Sequence, residues 1–167
     1  MVIALCGYMG SGKTSLGKIL AKKLNFEFFD TDDYIEQTQN KSIPQIFDSY
    51  GEKYFRELEY TAIKHFEKEN NIILSLGGGL PIQDKNKEVL KNMFVVYIDS
   101  PFEHCYDRIK ETDRPIVKQK TKLQLNSHYN DRIAHYKQVA DFVVNGDDLE
   151  KMAEQIAKFV KEKIWKF

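Results

Sequence analysis

An α/β fold, a five-stranded parallel sheet flanked by helices within one domain, follows from three features of the 167-residue sequence. Short apolar runs alternate with stretches of helical periodicity, the pattern of a parallel sheet joined by crossover helices. Most of those runs are continuous and do not alternate with polar residues, as strands buried on both faces require. A glycine-rich turn closes the first run and opens the first helix, at the edge where parallel sheets gather their ligands.

Taken in order, Val2 to Cys6 is the first strand. A helix over 13–24 follows, with Leu16, Ile19, Leu20 and Leu24 on one face. Further strands are expected at 27–30, 72–76, 93–99 and 141–145. Helices are expected at 43–69 with a break near Gly51, and at 102–110, 123–139 and 149–164. In the last, Leu149, Met152, Ala153, Ile156, Phe159, Val160 and Ile164 make an apolar face that Trp165 extends. Lys158, Lys161, Lys163 and Lys166 read as its solvated side. Two polar segments, 31–46 and 111–122, fall outside the predicted core. The second is lysine-rich, contains Arg114-Pro115, and reads as a mobile lid.

The length suits one domain over 1–167. Lys+Arg and Asp+Glu number 25 each, so no overall field recruits nucleic acid or a membrane surface. Cys6, Cys105 and the four histidines show no metal-ligand spacing. Both cysteines are expected as thiols, which suits a reducing cytoplasm. The first strand begins at once, so no signal peptide is expected. No apolar stretch is long enough to cross a bilayer.

Gly7-Tyr8-Met9-Gly10-Ser11-Gly12-Lys13-Thr14 is a complete phosphate-binding loop between a strand and a helix. Backbone N–H groups around Gly10, Ser11 and Gly12 can point at phosphate oxygens, with Ser15 beside them at the positive end of the helix. Lys13 can reach the outer phosphates and Thr14 can ligate Mg²⁺. The loop predicts that the chain binds a nucleoside triphosphate.

Asp30 and Asp32 close the second strand, on the same sheet edge as the loop. One carboxylate can hold Mg²⁺ directly or through water, and the other can accept a hydrogen bond from a substrate hydroxyl. Two apart on an extended segment, they are expected to point the same way, while Asp33 is expected to cap the next helix. Arg56, between Glu52 and Glu59, reads by itself as a solvated helix arginine, and Arg132 as a surface charge. Gly77-Gly78-Gly79 after the third strand could be a loose turn or a bare backbone that a small substrate approaches closely.

Together these motifs resemble the shikimate kinases. The phosphate loop, Asp-Thr-Asp, Gly-Glu-x-x-Phe-Arg-x-x-Glu from Gly51, the glycine triplet, Arg-Pro and Arg-x-x-x-Tyr-x-x-Val-Ala-Asp occur in that family's order from Ile3 to about Val144. The resemblance implies a single-domain P-loop kinase with a substrate-binding helical segment over about 31–61 and a lid over about 111–122. It implies transfer of the ATP γ-phosphoryl to the 3-hydroxyl of shikimate, a step toward chorismate and the aromatic amino acids. Arg56 and Arg132 would grip the substrate carboxylate, and Gly77, Gly78 and Gly79 would border the ring. Asp32 would take the ring hydroxyls and orient or deprotonate the attacking one. Asp30 would stand near the metal, Arg114 would swing from the lid onto the phosphates, and Arg108 would lie against adenine. The chain departs from the family pattern at Ala134, where proline is common, and at Gln138, where an acidic residue is common.

The expected partners are therefore ATP with Mg²⁺ and shikimate, and a monomer meets every requirement. The competing readings are another P-loop small-metabolite kinase, such as a gluconate kinase, a nucleoside monophosphate kinase, and a non-catalytic ATP-binding module.

Overall fold

The computed structural model describes residues 1–164. Five parallel strands, β1 (Val2–Cys6), β2 (Glu27–Asp30), β3 (Ile72–Ser75), β4 (Phe94–Asp99) and β5 (Phe142–Asn145), form one sheet in the order β2-β3-β1-β4-β5. The helices are α1 (Lys13–Leu24), α2 (Thr31–Gln39), α3 (Ile43–Phe66), α4 (Asp84–Leu90), α5 (Phe102–Ile109), α6 (Pro115–Gln119), α7 (Lys122–Val139) and α8 (Leu149–Phe159).

The continuous apolar strands explain the layering. Along β1, Val2, Ala4 and Cys6 enter one core while Ile3 and Leu5 enter the other. The first core holds Tyr8, Leu76, Tyr97, Leu125, Tyr129 and Tyr136. The second packs α1 and α8 onto the opposite face through Leu16, Leu20, Met152 and Ile156. A third, smaller cluster of Ile35, Ile46, Phe55 and Ala62 joins α2 to α3. Cys6 and Cys105 are buried free thiols.

Register places the site. Leu5 of β1 and Asp30 of β2 both pair with Ser75 of β3. The carboxyl ends of three adjacent strands therefore lie level, and the phosphate loop, the Asp30 turn and the glycine triplet leave the sheet side by side.

Several sequence expectations change. Residues 31–39, which composition left outside the core and the resemblance placed in a helical segment, form α2. Its cap is Asp30, whose Oδ1 accepts the Asp32 N–H at 2.9 Å, and not Asp33. Asp32 therefore lies in a first helical turn and not on an extended segment. The short helix α4 and a 3₁₀ turn at Leu80–Ile82 went unforeseen. Within the expected lid, Pro115 starts α6 at the first helical position, where its missing N–H costs nothing. The last helix changes to π geometry over Val160–Ile164, and Trp165 lies outside the described residues. The break at Gly51 is present, with φ 79° and ψ 175° inside α3. Among the described residues no helix is long and apolar enough to cross a membrane.

Candidate active site

The phosphate loop is wound tightly against the protein beneath it. Gly10 and Gly12 take φ of 78° and 95°, which L side chains rarely adopt. A Cβ on Gly10 would also stand 2.6 Å from the Cys105 carbonyl oxygen on α5. Lys13 folds over the loop and donates to the carbonyls of Gly7 at 2.8 Å and Tyr8 at 3.1 Å. Burial pulls its pKa down, while Asp32, Cys6 and Asp30 pull it back up.

One cavity runs from this loop along the sheet edge. Gly10, Gly12, Lys13, Thr14, Ser15, Asp30, Asp32, Gly77, Gly78, Arg108 and Arg114 line it, together with Met9, Ser75 and Leu76. Ser11 does not: its hydroxyl turns inward, buried and without a partner, and its N–H donates to the Tyr8 carbonyl at 3.1 Å. Arg108 reaches across from α5 to donate to the Gly10 carbonyl at 2.9 Å.

Thr14 Oγ1 and Asp30 Oδ2 stand 3.5 Å apart at the loop end of the cavity. A hydroxyl and a carboxylate form a hard oxygen donor pair that suits Mg²⁺, which keeps several waters and takes the rest of its ligands from phosphates. No group of three or more His, Cys, Asp or Glu side chains able to hold a metal occurs among the described residues.

The glycine triplet forms the other wall. The Gly77 N–H donates to the buried Thr31 hydroxyl at 2.9 Å, tying the triplet to the first turn of α2. A Cβ on Gly77 would lie 2.6 Å from Asp32 Oδ1, one on Gly78 3.4 Å from Arg132 Nη1, and one on Gly79 2.6 Å from Arg56 Nη1. Three glycines thus make room for three functional side chains from three different helices. Arg56, Arg132 and Gly79 flank the cavity beyond Gly78.

Arg56 is not the solvated arginine its helix position alone suggests. It donates to Glu59 at 2.8 Å and to Glu52 at 3.0 Å, and Glu59 is only 1 % exposed. Burial pushes the Glu59 carboxyl up, against the pull of Arg56 and Arg132. Such a pair contributes little net stability but fixes where the guanidinium points. Sequence reasoning missed Glu59 as part of the site. The available signal was a carboxylate on the face that Phe55, Ala62, Ile63 and Phe66 bury.

Asp32 has the most perturbed carboxyl of the cavity. Burial, then Asp30 and Glu59, raise it to about 7 against the opposing charges of Lys13 and Arg114. A carboxylate poised near neutrality beside a buried lysine makes Asp32 a candidate for proton handling.

Parallel sheet, phosphate loop and facing acidic turn define a P-loop kinase fold. A family model described as shikimate kinase matches residues 9–164. A shikimate kinase of Clostridium botulinum (strain Okra / Type B1) is 40% identical over 98% of this chain and 97% of its own. One from Aquifex aeolicus (strain VF5) is 36% identical over 95% of this chain and 92% of its own. A solved shikimate kinase from Acinetobacter baumannii in complex with shikimate superposes with a TM-score of 0.90 at 31% identity, covering 98% of this chain and 94% of that one. The chain belongs to the shikimate kinase family.

Proposed function

We propose that this protein transfers the γ-phosphoryl of ATP to the 3-hydroxyl of shikimate, yielding shikimate 3-phosphate and ADP. The observation that carries the reading is the row of Asp32, Arg132 and Arg56 along the glycine triplet, in line with a cavity that begins at Lys13 and Thr14. One carboxylate and two guanidiniums match a small polyol that bears its own carboxylate.

Each side chain has a distinct task. Arg56 and Arg132 supply forked donors that orient a carboxylate in a plane, as lysine would not. Glu52 and Glu59 hold Arg56 for that purpose. Asp32 accepts the proton of the attacking hydroxyl and aligns its oxygen with the phosphoryl group. In a loose transition state that proton leaves late, so alignment matters more than basicity. Lys13 and Arg114, the latter arriving on the 111–122 lid, stabilise the charge spread over the transferring group. Mg²⁺ supplies further charge neutralisation at the phosphates when bound, and Thr14 and Asp30 are the residues that would hold it. Ser15 and the loop N–H groups cradle phosphates, and Arg108 lies on the nucleotide side. The segment over 31–61 carries the acceptor contacts. Every residue named comes from one chain, so a monomer suffices, and the buried thiols suit a cytoplasmic setting.

ADP release from MgATP tests the reading, with shikimate, gluconate, AMP and no acceptor in parallel. Release that requires shikimate is expected. Release with gluconate or AMP instead would discard the acceptor, and ATP binding without release would favour a non-catalytic module.

A further inference from the structure

Tyr8, the second residue of the phosphate loop, is held at both ends. Its carbonyl accepts from Lys13 Nζ and from the Ser11 N–H, each at 3.1 Å. Its side chain leaves the loop and enters the core at 2% exposure, edge-on to Tyr129 with ring centroids 5.2 Å apart. There the hydroxyl meets His128 Nδ1 at 2.9 Å and the Leu125 carbonyl at 3.3 Å, both on α7.

His128, Arg132 and Tyr136 recur every four residues and so share one face of α7. Arg132 faces Gly78, and the Tyr136 hydroxyl donates to the Gly78 carbonyl at 2.8 Å. One helix face therefore touches the phosphate loop at His128 and the glycine triplet at Tyr136, with Arg132 between them.

We propose that Tyr8 and His128 are positioning residues, a strut that sets Arg132 in register with the phosphate loop. The inference rests on the reading of Arg132 as an acceptor-side residue. The Tyr8 hydroxyl either donates to the Leu125 carbonyl and accepts from His128 Nδ1–H, or donates to an unprotonated Nδ1, and both arrangements tie the loop to α7. A neutral imidazole is what the surroundings favour. Burial, then Arg132 and Lys120, push its pKa down to about 4, with Asp131 alone opposing.

The test compares Tyr8→Phe, His128→Ala, His128→Asn and the Tyr8→Phe/His128→Ala double variant, with shikimate and MgATP varied independently. The Asn amide, with a donor N–H and an acceptor oxygen, can take the place of Nδ1 in either role. Tyr8→Phe and His128→Ala should each raise the shikimate KM about fivefold to tenfold, with the ATP KM within about twofold. His128→Asn should return to within about twofold of wild type, and the double variant should match the worse single one. An unchanged shikimate KM in His128→Ala, an equal rise in both KM values, or His128→Asn as impaired as His128→Ala would overturn the strut.

Wild type without shikimate-dependent turnover would overturn the proposed function instead, and NMR of the His128 ring would then decide the strut. A single neutral tautomer in wild type, whose ring signals change in Tyr8→Phe, is expected. A ring indifferent to the Tyr8 hydroxyl would overturn it.

Discussion

Asp32 shows how one buried carboxyl couples stability to pH. Its pKa is raised from 3.8 to about 7 by burial and by Asp30 and Glu59. Between those values the folded state keeps a proton that the unfolded chain releases. The contribution to stability is thus fully present below about pH 4 and is lost as pH rises through about 7. Asp32→Asn removes the charge without changing the shape. At pH 8 the variant should be more stable than wild type by on the order of 1–3 kcal/mol, with the two converging near pH 4. Its turnover should fall about a hundredfold or more while ATP still binds. Thermal melts across pH, paired with single-concentration rates, check both halves. Equal melting at pH 8 would contradict the account of a buried, repelled carboxylate. Gly79 makes a second case. A Cβ there would stand 2.6 Å from Arg56 Nη1, but that atom ends a flexible chain and can yield. Gly79→Ala should cost about 1–3 kcal/mol of stability, because Arg56 is drawn off the buried Glu59 carboxylate, and raise the shikimate KM about tenfold as Arg56 is displaced. Urea denaturation and acceptor titration separate the two effects.

At the scale of elements, close packing decides what a helix can present. α1 meets the sheet through Gly17, where a Cβ would fall 2.4 Å from the Phe28 ring of β2 and 3.2 Å from Leu5 of β1. Gly17→Ala must therefore push the helix or the ring away, at a cost of about 1–3 kcal/mol measured by chemical denaturation. A neutral result would mean that α1 sits further from the sheet. This contact was not legible in the sequence, whereas α1 itself was, because its apolar spacing is local. The phosphate loop was legible for the same reason: eight consecutive residues specify it. Helix α2 was not, since Thr31–Gln39 buries only Thr31 and Ile35. Its stability comes from packing on Ile46, Phe55 and Ala62 of α3, a contact that no local pattern announces. Glu59 was hidden in the same way. Its partner Arg56 is close in sequence, but Glu59 lies against Gly77 of the triplet, a contact from far along the chain. Local signals therefore left both arginines as surface charges; the family resemblance named them, and long-range packing explains why they point inward.

For the whole molecule, strand order does what no single motif can. The order β2-β3-β1 sets three loops side by side although the triplet lies far along the chain from the other two. α7 then spans from the phosphate loop to the triplet, so both ends of the cavity contact one helix. The central claim is that a phosphoryl group passes along this edge from the loop to a hydroxyl beside Asp32. Phosphorus NMR of a reaction containing MgATP and shikimate tests it most directly. One new phosphomonoester per ADP, coupled to the proton at carbon 3 of the ring, is the predicted result. ADP formed with inorganic phosphate alone, or a phosphoester on another hydroxyl, would contradict it.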